Sequence, residues 1–412
     1  MQDSSSYAVG IDIGTTTVRC VVGHLDATTG TPTIVGVGEV ANTGMRKGTI
    51  VNLNGPAQAI DEALGAAERM SGYEVNSASI SINGSHILST TTDGMIAVSA
   101  PDHLVGRDDV VRLEEVATVG KVPANREILE VVPHSYKLDG QDNIKDPVGM
   151  TGTRLEINAN VISAMAPQVG ALHSALELAK VTPNIITPSV VASAKAVLNE
   201  QQLENGVAVI DMGGATTSLA VFEEGDLQFA AVIPVGSINV TNDLAIGLKT
   251  DPEIAEQVKL QHGSATPLTG SEYVSVKNDK ETYEFKRDDI NEIIEARLDE
   301  LFEAISKELK KAGRHAKLPS GVVLTGGGAK LKNIVDYTKE SLGVAARIGA
   351  ASGFGGVAEH LDEPQFASAA GLMLLDAQAA SHNTAVHDRK RGKNVANQAG
   401  GVLRRLLGKF KA

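Results

Sequence analysis

Apolar positions recur along this chain with two periods, and the alternation between them divides it into elements. Residues 7–40 alternate or run continuously apolar, broken by Asp-Ala-Thr-Thr-Gly-Thr-Pro at 26–32, which predicts strands around a turn. Ala57, Ile60, Ala63, Leu64 and Ala67 then share one helical face, so a helix is predicted over 56–71, starting at Pro56. A strand at 78–83 follows. From 84 to 162 the texture changes: short strands at 87–98, 128–138 and 154–162 surround one helix near 107–119, punctuated by Pro101, Pro123, Pro133 and Pro147. That pattern reads as a small α+β insertion. A helix at 167–180, with Val169, Leu172, Ala175, Leu176 and Ala179 in phase, leads to a strand at 184–187 and a helix at 189–199.

The second half opens with a strand at 206–212. Ile290, Ile293, Ile294, Leu298, Leu301 and Ile305 form one stripe of a long charged helix over 286–312. A strand at 321–325 runs into three glycines and a helix from about Leu331, and a last helix is predicted at 364–379. Residues 380–399 are polar and read as a linker. Residues 401–412 become amphipathic again, with Val402, Leu403, Leu406, Leu407 and Phe410 on one stripe beside Arg404, Arg405, Lys409 and Lys411.

One pattern occurs twice. Val9-Gly10-Ile11-Asp12-Ile13-Gly14-Thr15-Thr16-Thr17-Val18 and Val209-Ile210-Asp211-Met212-Gly213-Gly214-Ala215-Thr216-Thr217-Ser218 each run from an apolar strand through Asp-x-Gly into a small-residue turn and a second strand. Tight Gly/Thr turns present free backbone amides, which suit phosphate. An aspartate beside bare phosphate is repulsive, so the pattern makes sense with Mg²⁺ between, held through water by Asp12 and Asp211. A single Asp-x-Gly-Thr is weak evidence; two copies predict a nucleotide held between two halves.

Length and composition fit that reading. A chain of 412 residues exceeds one ordinary core, and its 42% apolar and 21% charged shares are those of a globular protein. The lone Cys20 excludes an internal disulfide, reads as a buried strand thiol, and predicts a reducing compartment. Met1 to Ser6 is polar, so no leader is predicted, and no stretch reaches the roughly 18–20 apolar residues of a membrane span. The net charge of −13 argues against a nucleic-acid partner. It is unevenly placed: from His387 onward eight Lys/Arg face one acid, leaving 29 basic against 49 acidic residues, a body charge of −20.

Gly326-Gly327-Gly328 after an apolar strand is neither a Walker A loop nor a dinucleotide fingerprint, and reads as the cradle for a nucleoside. The three pieces in this order resemble the actin/Hsp70/sugar-kinase superfamily. Gly44-Met45-Arg46-Lys47-Gly48-Thr49-Ile50-Val51-Asn52, Thr151-Gly152-Thr153-Arg154-Leu155-Glu156, Thr241-Asn242-Asp243-Leu244-Ala245 and Glu256-Gln257-Val258-Lys259-Leu260-Gln261-His262-Gly263 look like the FtsA family of bacterial division proteins. The resemblance runs from about residue 7 to the end.

It implies an α/β, two-lobed actin-like ATPase fold of duplicated RNase H-like lobes, with an inserted α+β subdomain and a C-terminal amphipathic helix. The first lobe would take 7–83, 163–200 and 364–379, the insertion 84–162. The second lobe would take 201–249 and 319–363, with its own insert at 250–318. ATP phosphates would lie on Gly14, Thr15, Thr16, Gly213, Gly214, Ala215 and Thr216, with Mg²⁺ at Asp12 and Asp211. Gly236, Asn239, Asp243, Glu256, Lys259 and Gly326 to Gly328 would line the nucleoside. One departure stands out: Thr187, before Pro188, occupies the place where relatives commonly carry the Glu or Gln that orients water, so slow or negligible hydrolysis is expected.

The implied partners are further copies in a head-to-tail filament, the C-terminal tail of FtsZ at 250–318, other division proteins, and an anionic membrane surface. The last would be met by residues 400–412, through Val402, Leu403, Arg404, Arg405, Leu406, Leu407, Lys409, Phe410 and Lys411, at the cytoplasmic face of the cell membrane at midcell. Twelve residues are marginal as a free helix but suit one that folds at a lipid surface. The rival readings are a small-molecule kinase, a pilus-assembly ATPase like PilM, and a chaperone-like ATPase. A kinase needs a catalytic aspartate and a second pocket, and no candidate stands out; no substrate-binding domain follows the core.

Overall fold

The computed structural model describes residues 6–26, 31–278, 281–356 and 361–390. The linker and membrane-helix readings at 391–412 lie outside these residues.

The chain begins with β1 (Ser6–Ile13), β2 (Thr17–Leu25) and β3 (Pro32–Ala41), an antiparallel meander, followed by the two-residue pair β4 (Met45–Arg46) and β5 (Thr49–Ile50). Helix α1 (Asn54–Ser71) starts two residues before Pro56, which sits in its first turn, and ends at Gly72 in the left-handed region. It buries Ala57, Ile60, Ala63, Leu64 and Ala67. β6 (Ser77–Ile82) returns parallel to β1.

The insertion follows: β7 (Leu88–Ala97), α2 (Arg107–Thr118), β8 (Arg126–Leu138), β9 (Gln141–Ile144) and β10 (Arg154–Met165). They form a four-stranded sheet in the order β7-β10-β8-β9 with its own core around Leu113, Tyr136, Leu155 and Ile157. The chain re-enters the first lobe through α3 (Ala166–Leu178), β11 (Thr182–Pro188) and α4 (Ser189–Val197); α5 (Glu200–Asn205) follows and lies against the second lobe, where the Glu204 and Leu203 carbonyls accept from Glu224 and Gly225 N–H.

The second lobe repeats the plan with β12 (Val207–Met212), β13 (Thr217–Glu223), β14 (Asp226–Ile233), α6 (Ser237–Gly247), α7 (Pro252–His262), the ribbon β15 (Tyr273–Asn278) and β16 (Glu281–Lys286), and α8 (Arg287–Lys311). β17 (Val322–Thr325), α9 (Ile334–Leu342) and β18 (Ala346–Ile348) complete it. The two large sheets run β3-β2-β1-β6-β11 and β14-β13-β12-β17-β18, each an antiparallel meander extended by two parallel strands. The expected duplication is therefore present in topology as well as in sequence.

Helix α10 (Ala367–Lys390) closes the fold by lying against β1 and α4 of the first lobe, where Ala369, Ala370, Leu372 and Met373 are buried. It differs from the expected 364–379 at both ends. Pro364–Phe366 forms a 3₁₀ turn, and the helix continues through Lys390 into the stretch read as linker. The glycines at 326–328 likewise lead first into a 3₁₀ turn, Gly327–Lys330; α9 begins only at Ile334, after Asn333 in the left-handed region. The stripe at 290–305 is buried along α8, with Ile293 partly covered. Cys20 is fully buried. No described helix is long and apolar enough to cross a membrane.

Candidate functional site

The two copied hairpins face each other across a cavity of about 490 Å³ between the lobes. Their turns are closed by the same bond: Gly14 N–H donates to the Thr17 carbonyl at 3.1 Å, and Gly213 N–H to the Thr216 carbonyl at 2.9 Å. The cavity wall includes Gly14, Thr15, Thr16, Gly213, Gly214, Ala215 and Thr216 from the two turns. The approach is close. A Cβ on Gly214 would lie 2.6 Å from Thr16 Oγ1, so a side chain there would push the hairpins apart.

Different elements brace the two turns. Asn42 donates from Nδ2 to the Gly14 carbonyl (2.7 Å) and from its backbone N–H to the Thr16 carbonyl (2.8 Å), while Gly48 N–H donates to Thr15 Oγ1 (2.9 Å). The second turn is held by the start of α6: Ser237 and Ile238 donate backbone N–H groups to the Gly213 and Gly214 carbonyls at 3.0 and 2.8 Å. Asn83, at the end of β6, crosses between lobes, donating to Thr216 Oγ1 (3.2 Å) and accepting from Ser218 Oγ (3.1 Å).

Asp12 and Asp211 both line the cavity. Burial and then the Asp211 charge push the Asp12 carboxyl up to about 6, against the opposing effects of Ser81 and Arg19. Burial also raises Asp211, opposed by hydrogen bonds from Ser193 (2.8 Å) and Ser368 (3.2 Å) and by Arg19. Arg19, paired in register with Asp12, forms an ion pair with Glu39 at 2.6 Å and lies 5.4 Å from the Phe366 ring centre. Two carboxylates sharing one guanidinium make a site that favours an added cation. Asp12 and Asp211 are the two carboxylates that the hairpins bring to this wall, so a cation held by them would take its remaining ligands from phosphate and water.

The far wall carries Gly236, Glu256, Lys259 and Gly326 to Gly328. Gly326 has φ +79°, and a Cβ there would lie 2.4 Å from Asp211 Oδ1, so the turn packs directly on the carboxylate. Lys259 pairs with Glu256 at 2.7 Å, and both hold Thr241: its hydroxyl accepts from Lys259 (2.9 Å) and donates to Glu256 (2.5 Å). Two expected wall residues stand behind it. Asn239 accepts from Gly236 N–H at 3.0 Å and caps α6, and Asp243 makes a two-pronged pair with Arg297, which itself reaches the wall.

Thr187 is fully buried, its hydroxyl lacks a hydrogen-bond partner among the described residues, and it is not on the cavity wall. The residues near that end are Ser189, Gln365 and Ser368. Sequence reasoning missed Arg19, Asn83, Ser193, Gln365 and Ser368. Only Arg19 had a readable signal, since closing the first turn at Gly14–Thr17 pairs it with Asp12.

Comparison with known proteins agrees with this architecture. Residues 208–371 match the family model "Cell division protein FtsA", and residues 84–163 match "SHS2 domain inserted in FTSA". The chain is 32% identical to the cell division protein FtsA of Pseudomonas aeruginosa, covering 92% of this chain and 91% of that one. It is 34% identical to that of Bacillus subtilis, covering 97% and 89%. In fold it resembles a PilM-PilN type IV pilus biogenesis complex (TM-score 0.65, 18% identity, 90% of this chain and 98% of that one). It also resembles MreB5 of Spiroplasma citri bound to ADP (TM-score 0.53, 13% identity, 94% and 99%). With identity above 30% sustained over nearly the whole length, on an actin-like frame that carries the inserted subdomain, the chain belongs to the FtsA family of bacterial cell division proteins.

Proposed function

We propose that the protein binds ATP with Mg²⁺ between its two hairpins and, in that state, polymerises as an actin-like filament on the cytoplasmic face of the cell membrane at midcell. There it tethers FtsZ filaments and recruits later division proteins. The observation that carries the reading is the pair of glycine-closed turns facing each other across the inter-lobe cavity, with Asp12 and Asp211 on its wall. Thr15, Thr16, Gly214 and Ala215 present amides to phosphate, while Glu256, Lys259 and Gly326 to Gly328 take the nucleoside. Bound Mg²⁺ supplies charge neutralisation between phosphate and the two aspartates.

Hydrolysis is slow or negligible. This reading rests on Thr187, which stands where relatives commonly carry Glu or Gln, is too short to orient water, and is buried off the cavity wall. A turnover of about 1 per second or faster, the range of ordinary enzymes, would overturn this.

Residues 400–412 attach the body to anionic lipid. Four basic side chains at about 1 kcal/mol each at most give reversible binding, so firm attachment needs many tails in one filament. The segment 250–318 receives the FtsZ tail; its apolar stripe is committed to the core along α8, which leaves the outer charged faces for contact. The test is electron microscopy on an anionic lipid monolayer with and without ATP, beside vesicle pelleting of the full chain and of a chain ending at Gly400. ATP-dependent filaments and loss of pelleting on truncation are expected. Pelleting that survives truncation sinks the lipid assignment, and phosphorylation of small molecules without filaments would favour a kinase.

A further inference from the structure

The second-lobe carboxylate that faces the cavity is held by the first lobe. Asp211 lies on β12, yet its Oδ2 accepts from Ser193 on α4 (2.8 Å) and Ser368 on α10 (3.2 Å). The two hydroxyls are 2.7 Å apart, and Ser368 also lies 3.2 Å from the Ser189 carbonyl. Both serines are buried, at 0% and 4% exposure, although Ser368 and Asp211 also border the cavity. The other carboxylate oxygen, Oδ1, lies against Gly326.

The start of α10 is tied to the same place by different bonds. The Pro364 carbonyl accepts from Gly326 N–H (3.0 Å) and Thr325 Oγ1 (2.8 Å), Lys330 pairs with Glu363 (2.6 Å), and Gln365 and Ser368 stand on the cavity wall. Beyond its first turn α10 packs on the first lobe as far as Ala379. Asp376 takes bonds from Val9 N–H, Ser79 and Asn184 there, on β1, β6 and β11. The helix thus runs from a first turn that touches the second-lobe carboxylate to Lys390, after which the sequence continues into the basic tail.

We propose that Ser193 and Ser368 are positioning residues that fix Asp211 for the metal-nucleotide complex and pass its displacement to α10, so that the tail-bearing helix reads the occupancy of the cavity. The proposal rests on the nucleotide reading above and deepens it. Ser193 donates its proton to the carboxylate, and Ser368 has one proton for either Asp211 or the Ser189 carbonyl, so a shift of Asp211 toward a hydrated cation lengthens the Ser193 bond and releases Ser368 toward Ser189. The first turn of α10 then follows the carboxylate or loses it.

The test measures ATP affinity with and without Mg²⁺, together with backbone hydrogen exchange of residues 367–380, in the full-length protein and in Ser193→Ala, Ser368→Ala, the double variant and Ser368→Thr. In the wild type Mg²⁺-ATP should slow exchange at the start of α10. Each alanine should cut the Mg²⁺-dependent gain in affinity about tenfold, the scale of one hydrogen bond to a charged group, and should lower metal-free affinity by much less. The double variant should lose the slowing of exchange, and Ser368→Thr should restore affinity and protection. The single variants are read separately, so an unfolded double variant still leaves two answers. Unchanged Mg²⁺ dependence, equal losses with and without metal, or α10 protection that survives both alanines would each overturn the proposal. A wild type that binds no ATP at all would instead remove the nucleotide reading beneath it.

Discussion

Glu130 offers the sharpest quantitative test of how the insertion is seated. It lies on β8 opposite Ile162 of β10, is 6% exposed, and keeps Oε2 without a hydrogen-bond partner among the described residues. Val132 and Ile162 belong to the large core shared with the first lobe and with Phe222 and Leu227 of the second, and Leu129 packs against it. Burial with no compensating charge pushes the Glu130 carboxyl up to about 8 from its ordinary 4.5.

A carboxyl whose folded value lies above its unfolded one favours folding fully below the unfolded value and loses that advantage as pH rises to the folded value. The window is therefore pH 4.5 to about 8. At 1.36 kcal/mol per pH unit the loss is about 3 kcal/mol by pH 7 and about 5 kcal/mol above pH 8, an upper limit because an ionised side chain relaxes toward solvent. Glu130→Gln keeps the shape and never ionises. Urea unfolding at pH 5 and pH 8.5, following the transition that includes the insertion, should show the two proteins within about 1 kcal/mol at the lower pH. At the higher pH the variant should be the more stable by several kcal/mol. A stability difference that does not change with pH would refute the reasoning, because it would mean that Glu130 stays ionised throughout.

Three further perturbations follow from contacts already described. Asp376→Leu strands the Val9 N–H and the Asn184 amide beneath α10, and should cost about 2–4 kcal/mol in denaturant unfolding, the loss expected for orphaned buried donors. Gly371→Ala would place a Cβ 1.8 Å from the Ala192 carbonyl oxygen, so α4 and α10 must separate; a loss of about 1–3 kcal/mol is expected, read as a lower melting temperature. Asp12→Asn removes one of two facing carboxylates, so calorimetric titration should show metal-free ATP binding more tightly and Mg²⁺ adding less than in the wild type.

Much of this architecture was legible because its signals are local. The hairpin pattern at 9–18 and 209–218 needs only ten residues, and the α8 stripe needs only helical spacing. What escaped has physical causes. β14 follows β13 after the two-residue turn Glu224-Gly225, and its half-buried, mixed sequence from Asp226 to Ile233 carries no clean alternation. In the β15–β16 ribbon only Val274 and Val276 are buried, so charged positions hid the period. Helix α10 continues past 379 although its sequence there is polar, because a helix already docked propagates at little cost. Asn83, Ser193 and Ser368 reach the site from three segments far apart in sequence, and no local motif announces a contact made by tertiary folding.

The duplication is not symmetric, and the asymmetry bears on what the cleft does. Register pairs Asp12 with Arg19 in the first lobe and Asp211 with Ser218 in the second. One lobe therefore brings a cation to its aspartate, while the other leaves its aspartate to Ser193 and Ser368, hydroxyls of the opposite lobe. Arg19 is already paired with Glu39, so its charge is shared among three carboxylates. The two facing aspartates repel in this arrangement of the lobes. A ligand that brings a cation between them reverses the sign of this interaction only in the closed arrangement, and differential affinity of that kind is what shifts a conformational equilibrium. A serine clamp on one side and an overcommitted arginine on the other would then make closure depend on the nucleotide-bound cation. Under the nucleotide reading, Asp12 and Asp211 would thus favour a nucleotide that carries a cation over one that does not.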